Sequence, residues 1–318
     1  MMSIRLPLRA KVPTFLATTV MVGAFGFVAT GAATAAGRSK VRSEVSENWA
    51  GYAVTGKNFS TVSGTWREPT IKTSSSSSEA YSAVWVGLGG SKTSSSSLEQ
   101  IGTSADYVGG HAEYYAWYEL LPSGQVRLSI AIHAGDVISA RVSVSGTTVT
   151  VFLSDQTTGH SVLKTLHMNR PDSSSAEWIV EAPATETSGG NYQVLPLADF
   201  VKVAFSKATA TAGGDTGGIS DSQWTPTRIQ LRTQSTFGPG SGSAFVTVGP
   251  QAVSQQSEGA STSTLSGNTF SVSWQASNPS QTTSGGQAAV NQNPGVGAPV
   301  PAGDSGYGPA PGTYWRER

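Results

Sequence analysis

Two side chains of this sequence could carry out acid–base chemistry together: the carboxyl group of Glu181 and the amide of Gln100. Glu181 ends the apolar run AEWIVE at residues 176–181, in a chain of which only 13% is charged. An ionised carboxylate can take a proton from water and later return it to a leaving amine. The amide of Gln100, within LEQIG at residues 98–102, both donates and accepts hydrogen bonds and does not titrate. The pair could therefore activate water in acid, where a histidine base would be protonated.

Each of these residues, taken alone, has a plainer interpretation. Side chains alternate between the two faces of a strand, so Glu177, Ile179 and Glu181 share one face if residues 176–181 are extended. A single glutamate on such a face is most often solvated. A single glutamine most often makes a loop hydrogen bond. For Glu177 the sequence leaves two roles open, a partner of the catalytic residues or a solvated neighbour. A catalytic interpretation of Glu181 and Gln100 needs support from elsewhere in the chain.

That support comes from a series of motifs that resemble the glutamic peptidases, or eqolisins, in particular a cysteine-free, bacterial-like branch. The similar motifs follow one another over most of residues 44–277: NWAGY (48–52), VSGTWREP (62–69), AVWVGLGG (83–90), LEQIG (98–102), AWYE (116–119), AGD (134–136) and PLADF (196–200). The resemblance implies an acid endopeptidase in which Glu181 acts as base and then as acid, with Gln100 as its electrophilic partner. It also implies polypeptide substrates and neither a metal nor an organic cofactor.

The resemblance extends to further residues of a substrate groove. It implies substrate-binding roles for Trp49, Trp85, Asp106, Tyr118 and Glu119. For Trp49 and Trp85, packing in the core is the alternative to an exposed aromatic contact with an extended peptide. Asp106 lies two residues further from Gln100 than the family pattern places its aspartate, and Gly89 stands where some members carry an aspartate.

A β-sandwich glycosidase or a carbohydrate-binding module is the alternative function. Glu177 and Glu181 superficially resemble the paired carboxylates of β-sandwich glucanases. On a regular strand with a rise of ~3.3 Å per residue, the two backbones lie ~13 Å apart. Retaining glycosidases need carboxyl groups ~5–5.5 Å apart. This separation weakens the glycosidase alternative. A non-catalytic lectin-like module would still bind its ligand after loss of Glu181.

The elements that must position these residues are β-strands. Residues 137–144 alternate apolar and polar side chains, residues 201–205 and 270–274 repeat this period of two, and residues 149–153 are typical of a strand. Glycine, serine and threonine separate these runs, and no segment has a helical stripe. Many short antiparallel strands favour an all-β sandwich, and the resemblance implies two large packed sheets, concanavalin-like. We expect this peptidase domain to span residues 44–277.

The two ends of the chain differ in composition from that domain. Residues 1–35 resemble a signal peptide, with Arg5, Arg9 and Lys11 before an apolar run that is too short for a convincing membrane anchor. Residues 36–43 form a short linker. Residues 278–318, rich in proline, glycine and glutamine, predict a disordered tail.

Composition limits the other functions. The chain has no cysteine, which excludes thiol chemistry, and its formal net charge is zero, which becomes slightly negative without the signal peptide. No basic surface for nucleic acid or for an anionic membrane is expected. We therefore expect a secreted protein that has no membrane attachment after signal cleavage and is a monomer.

Overall fold

The computed structural model describes residues 40–72, 78–92, 95–186, 192–232 and 258–276. Within these ranges the chain forms strands and no helix, which confirms the all-β prediction. The predicted signal peptide (1–35) and tail (278–318) lie outside the described residues. The described part of the chain contains no helix that could span a membrane.

The eighteen strands of the described residues are, in chain order, β1 (Arg42–Ser46), β2 (Trp49–Thr55), β3 (Phe59–Arg67), β4 (Ala80–Gly89), β5 (Leu98–Val108), β6 (His111–Leu121), β7 (Val126–Ala131), β8 (Val137–Ser145), β9 (Thr148–Asp155), β10 (Ser161–His167), β11 (Ser175–Glu181), β12 (Ala184–Glu186), β13 (Tyr192–Val194), β14 (Lys202–Ala212), β15 (Asp215–Gly218), β16 (Thr225–Arg232), β17 (Gly259–Thr262) and β18 (Phe270–Gln275). β1 thus begins within the predicted linker.

Sixteen of these strands form one hydrogen-bonded sheet. Fourteen follow the order β10-β9-β8-β3-β14-β18-β17-β16-β2-β11-β4-β5-β6-β7, while β1 joins β16 and β15 joins β14. All pairings are antiparallel except that of β1 with β16. The remaining strands, β12 and β13, form a separate two-stranded sheet. The sheet places β11, a late strand, between the early strands β2 and β4.

The sheet folds back on itself around a large hydrophobic core. We call β2, β11, β4, β5, β6 and β7 the front arm, and β10, β9, β8, β3 and β14 the back arm. Two indoles join the arms: Trp178 Nε1 of β11 donates to the Ser63 carbonyl oxygen of β3 at 2.7 Å, and Trp66 Nε1 of β3 donates to Thr103 Oγ1 of β5 at 3.1 Å. The core between the arms is formed by the apolar positions that alternate along these strands.

The opposite face of the front arm carries a second, smaller hydrophobic cluster, and we call this face the site face. Its buried residues are Trp49, Ala53, Ala83, Trp85, Leu98, Tyr115, Trp117, Ile179 and Ile229. The strict alternation of the strands sends Trp178 and Val180 of β11 into the main core and Ile179 into this cluster. Both faces of the front arm are therefore packed.

A glycine makes room for a tryptophan on the site face. Gly102 of β5 is the Cα partner of Trp85 of β4. A Cβ atom at Gly102 would lie 2.2 Å from the Val84 carbonyl oxygen and 2.6 Å from Trp85 Cβ. A larger residue here would have to displace the backbone or the indole.

Candidate active site

The residues predicted for catalysis lie on the site face. Glu181 is the last residue of β11, with Trp49 of β2 and Ala83 of β4 as Cα partners. Gln100 lies on β5, two residues from Gly102, and therefore on the face that Trp85 covers. The pairing register sets Gln100 level with Gly87 and Glu177, about 13 Å along the strands from the level of Glu181. The structure thus brings both residues to one face with a diagonal offset.

Hydrogen bonds from neighbouring side chains hold the carboxyl group of Glu181. Trp85 Nε1 donates to Oε2 at 2.7 Å, and Asn48 Nδ2 donates to Oε1 at 3.3 Å. The pKa of Glu181 is raised to about 8: burial has the largest effect, the hydrogen bond from Trp85 opposes it, the charge of Glu119 adds to it, and the hydrogen bonds from Trp49 and Asn48 oppose it. Glu181 is therefore protonated in acid and oriented by side chains of β4 and of the residue before β2.

Glu119 is hydrogen-bonded to Gln100, and its charge acts on Glu181. Gln100 Nε2 donates to Glu119 Oε2 at 2.7 Å, and the two residues are Cα partners on β5 and β6. Burial raises the pKa of Glu119 to about 7, partly offset by the bond from Gln100. The side chain of Gln100 is 4% exposed, and its Oε1 atom accepts no hydrogen bond from the described residues. This oxygen is available to a water molecule.

Trp49 and Trp85, predicted as groove residues, are fully buried. Their rings meet edge to face with centroids 4.9 Å apart, and each indole is 0% exposed. Both residues lie beside Glu181: Trp85 donates a hydrogen bond to it, and Trp49 is its Cα partner. The two indoles thus position the carboxyl group of Glu181 and, being buried, do not present an aromatic surface to a peptide.

Asp106 and Tyr118 do not lie beside Gln100. Asp106 shares the site face and is six residues from Gln100, or about 20 Å along β5, but its partner Tyr81 is only two residues, or about 7 Å, from the level of Glu181. It accepts a 2.7 Å hydrogen bond from the Tyr115 hydroxyl, and burial raises its pKa to about 6. Tyr118 pairs with Ile101 on the other face of the sheet, where it packs against the main core.

Asn48 is a site residue that sequence reasoning did not single out. Besides its bond to Glu181, its Oδ1 atom accepts a 3.1 Å hydrogen bond from Ser46 Oγ, which fixes the amide orientation. The available signal was its position directly before Trp49, at the start of the strand that pairs with Glu181.

The geometry does not fit a paired-carboxylate glycosidase. β11 pairs with β4 from Ala176 to Glu181 without a bulge, so Glu177 and Glu181 keep their four-residue separation. Glu177 is 0% exposed and cannot meet a sugar on the surface. Its position instead is next to Gly87, across from Gln100.

Comparison with known proteins identifies the family of the chain. A family model described as the Peptidase A4 family matches residues 47–248. The chain is 32% identical to aspergillopepsin-2 of Aspergillus niger over 200 residues, which cover 56% of this chain and 69% of that protein. It is 31% identical to scytalidopepsin B of Scytalidium lignicola over 188 residues, which cover 57% of this chain and 70% of that one.

Solved structures give the same result. A crystal structure of scytalido-glutamic peptidase with a transition state analog inhibitor has a TM-score of 0.56 at 28% identity, covering 72% of this chain and 98% of that chain. A structure of SCP-B, a member of the eqolisin family of peptidases, in a complex with the tripeptide Ala-Ile-His has a TM-score of 0.54 at 27% identity, with the same coverage. The chain therefore belongs to the peptidase A4, or eqolisin, family, and it is a glutamic endopeptidase.

Proposed function

We propose that the protein is a secreted acid endopeptidase that cleaves peptide bonds by direct attack of a water molecule held between Glu181 and Gln100. The observation that supports this proposal is the carboxyl group of Glu181, held by Trp85 on the same face as Gln100. Polypeptide substrates are supported by the solved relatives, which bind a transition state analog inhibitor or a tripeptide.

Glu181 carries both proton transfers. Its protonated carboxyl donates to the carbonyl oxygen of the scissile peptide, while its other oxygen accepts a proton from water as the water oxygen bonds to the carbonyl carbon. The product is a neutral gem-diol, and Glu181 is again protonated. It then donates to the amide nitrogen as the C–N bond breaks and accepts a proton from one gem-diol hydroxyl. A carboxylic acid and an amine leave the groove.

Gln100 orients the reacting atoms without titrating. Its Oε1 atom accepts a hydrogen bond from the attacking water. Its NH₂ group donates to Glu119 with one hydrogen and to the developing oxygen of the gem-diol with the other. A donor aimed at developing charge typically contributes ~3 kcal/mol to the transition state.

The raised pKa of Glu181 supports this order of steps. The sequence predicts an ionised Glu181 that acts first as base, but a pKa of about 8 leaves the ionised form scarce in acid. With the protonated form as the active one, the rate is high throughout the acid range and falls as the pH rises through about 8. A base-first order would give a rate that rises with pH over the same range.

The test compares the mature chain, beginning at residue 36, with Glu181→Gln and Gln100→Ala. We expect wild-type digestion of a protein substrate in acid and a loss of kcat of at least about 10²-fold in both variants. Glu44→Gln, at an exposed carboxyl on β1, is the matched control and keeps full activity. Undiminished proteolysis in either site variant would refute the pair. Cleavage of polysaccharide but not of protein would favour the glycosidase.

Three finer features belong to the same proposal. We infer that the protein is exported with removal of residues 1–35, that the domain of residues 44–277 acts as a monomer, and that the front and back arms are the two layers of a β-sandwich. N-terminal sequencing of the exported protein and its mass in solution check the first two. A signal segment retained on the product, or a dimer at assay concentration, would contradict them.

A further inference from the structure

The outer face of the back arm carries hydroxyl groups in rows that run across the strands. On β3, β8 and β9, alternate residues such as Val62, Val142 and Val151 face the main core, so the residues between them point outward. Two rows of outward residues on neighbouring strands consist entirely of serine and threonine. They are Thr165, Thr150, Ser143, Thr61 and Thr211, and Ser161, Ser154, Ser139, Thr65 and Ser206. We call this surface the hydroxyl face.

An apolar patch lies between the two rows. Phe152 of β9 has Leu163 of β10 and Arg141 of β8 as its Cα partners. Leu163 is 58% exposed, and the Arg141 guanidinium carbon lies 5.5 Å from the centroid of the Phe152 ring. A flat apolar surface between rows of hydroxyl groups suits a sugar ring, which has C–H groups on its faces and hydroxyl groups at its edge.

A groove of about 500 Å³ continues the second row at its β14 end. It is lined by Thr65 and Ser206 of that row, by further serine and threonine residues of segment 263–271, and by Arg67 and Lys202. None of the described residues that line it carries a carboxyl group. The groove therefore offers hydroxyl groups together with two positive charges.

The positive charges of the hydroxyl face are not neutralised by neighbouring side chains. Arg67, Arg141 and Lys202 are exposed, and within the described part of the chain none of them forms an ion pair. The back arm carries the charged residues Arg67, Arg141, Lys164, Lys202, Lys207 and Asp155. The front arm carries Arg127 and the acidic residues Glu99, Asp106, Glu113, Glu119, Glu177 and Glu181. An anionic partner is therefore attracted to the back arm.

The three exposed cations follow one another along the strands. Arg141 is the Cα partner of Ser63, which precedes Arg67 by four residues, or about 13 Å along β3. The pairing of Phe205 with Trp66 places Lys202 two residues beyond the level of Arg67, or about 7 Å further. A linear polymer with a negative charge on each repeating unit could contact all three.

We propose that the hydroxyl face and its groove bind an acidic polysaccharide, a polymer of uronic acid residues. Its carboxylates contact Arg141, Arg67 and Lys202, and its hydroxyl groups bond to the serine and threonine rows. A guanidinium group binds a carboxylate through two parallel hydrogen bonds, and it stays charged throughout the acid range. The hydroxyl face and the site face lie on different arms, so this binding does not depend on the proposed catalytic residues.

The test measures binding of the mature chain, beginning at residue 36, to polygalacturonate at pH 5 by affinity electrophoresis. We expect binding that weakens as salt is added, because the contacts join exposed charges. The double variant Arg67→Gln with Lys202→Gln should lower the affinity at least about tenfold, because two charge-assisted contacts are lost. Lys202→Gln alone should lower it at least about threefold, so the test stands even if Arg67→Gln does not fold.

The control is the double variant Lys164→Gln with Arg42→Gln, which removes the same charge from other surfaces. Lys164 alternates with the outward residues of β10, and Arg42 lies on β1. Its affinity should stay within about twofold of wild type, because only unspecific attraction changes. Glu181→Gln should bind the polymer as wild type does, which separates this inference from the proposed function.

Three results would overturn the inference: no binding of wild type to polygalacturonate, an equal loss of affinity in the control, or equal affinity for uncharged dextran. Double-stranded DNA or anionic vesicles bound more tightly than polygalacturonate at the same salt concentration would also overturn it, because the face would then recognise another kind of polyanion.

Discussion

Opposing interactions set the proton affinity of Glu181. Trp85 and Asn48 donate hydrogen bonds to its two oxygens, which favours the ionised form, whereas burial and the charge of Glu119 favour the protonated form. Burial is the largest of these effects, and the pKa rises to about 8. Because each of the remaining contributions comes from a different side chain, single substitutions can separate them.

Replacing Trp85 by phenylalanine should raise the pKa of Glu181 further. The substitution removes the 2.7 Å donor but keeps an aromatic ring above the sheet. A hydrogen bond to a charged group is worth about 1.5–3 kcal/mol, which corresponds to an upward shift of roughly one to two pH units. The measurement is the midpoint of the alkaline limb of kcat/KM. Trp117→Phe, on the same face without a bond to Glu181, should leave the midpoint in place.

Replacing Glu119 by glutamine should have the opposite effect. The change removes a negative charge that opposes ionisation of Glu181, while the new amide oxygen can still accept from Gln100 Nε2. The alkaline limb should therefore move to lower pH. A midpoint that stays fixed or moves upward would show that Glu119 does not act on Glu181 through its charge.

At the scale of elements, the site depends on how closely β4 and β5 approach beneath the indole of Trp85. Gly102 permits that approach, since a Cβ atom there would meet a backbone oxygen at 2.2 Å. Glycine usually weakens a strand, so its presence in the interior of β5 marks a packing requirement. Gly102 therefore fixes the position of the Trp85 indole, whose Nε1 atom donates a hydrogen bond to Glu181.

Substituting Gly102 by alanine should damage stability and activity together. Overpacking of this kind typically lowers the free energy of unfolding by roughly 1–3 kcal/mol, and the displaced indole should weaken its bond to Glu181. Gly124→Ala is the control, because a Cβ atom at Gly124 meets nothing within 4 Å. Urea unfolding and kcat at one acid pH measure both effects. An unchanged kcat in Gly102→Ala would show that activity does not depend on the position of the Trp85 indole.

At the scale of the whole molecule, three buried carboxyl groups, those of Glu68, Glu99 and Glu177, have no cation among the groups that shift their pKa. Glu68 lies between the arms, where Thr103 and Trp66 donate to it, and Glu99 accepts from the backbone of Asp172. Burial raises the pKa of both to about 8 and that of Glu177 well above its usual range. These three carboxyl groups are therefore protonated and neutral in the folded protein at acid pH.

The fold should therefore be most stable in acid. A carboxyl with a raised pKa in the folded state contributes full stability below its unfolded pKa of about 4.5, and this stability is lost as the pH rises through about 8. The loss is up to roughly 3 kcal/mol for Glu99 at neutral pH. Urea unfolding at acid and at neutral pH measures the free energy of unfolding under each condition, and Glu99→Gln should make the two values more alike. Glu44→Gln, at an exposed carboxyl, should leave their difference unchanged. A wild-type protein that is more stable at neutral pH than in acid would contradict this prediction.

The sequence predicted local structure better than it predicted long-range pairing. Alternation is a property of neighbouring residues, so the strand at Val137–Ser145 could be predicted without its partners. The face of Tyr118 could not, because it depends on the register between β5 and β6, which sets Gln100 opposite Glu119 and Tyr118 opposite Ile101. Asp106 lies far from Gln100 for a similar reason, since β5 continues without a break to Val108.

The late position of β11 in the chain has a consequence for synthesis. β2 and β4 do not pair with each other, and the gap between them is filled only by β11, which also carries Glu181. A nascent chain that has emerged only as far as β10 holds Gln100 and Trp85 but neither the acid nor the strand that joins their half of the sheet to β2. On the proposed mechanism, the growing polypeptide therefore lacks its acid until β11 has left the ribosome.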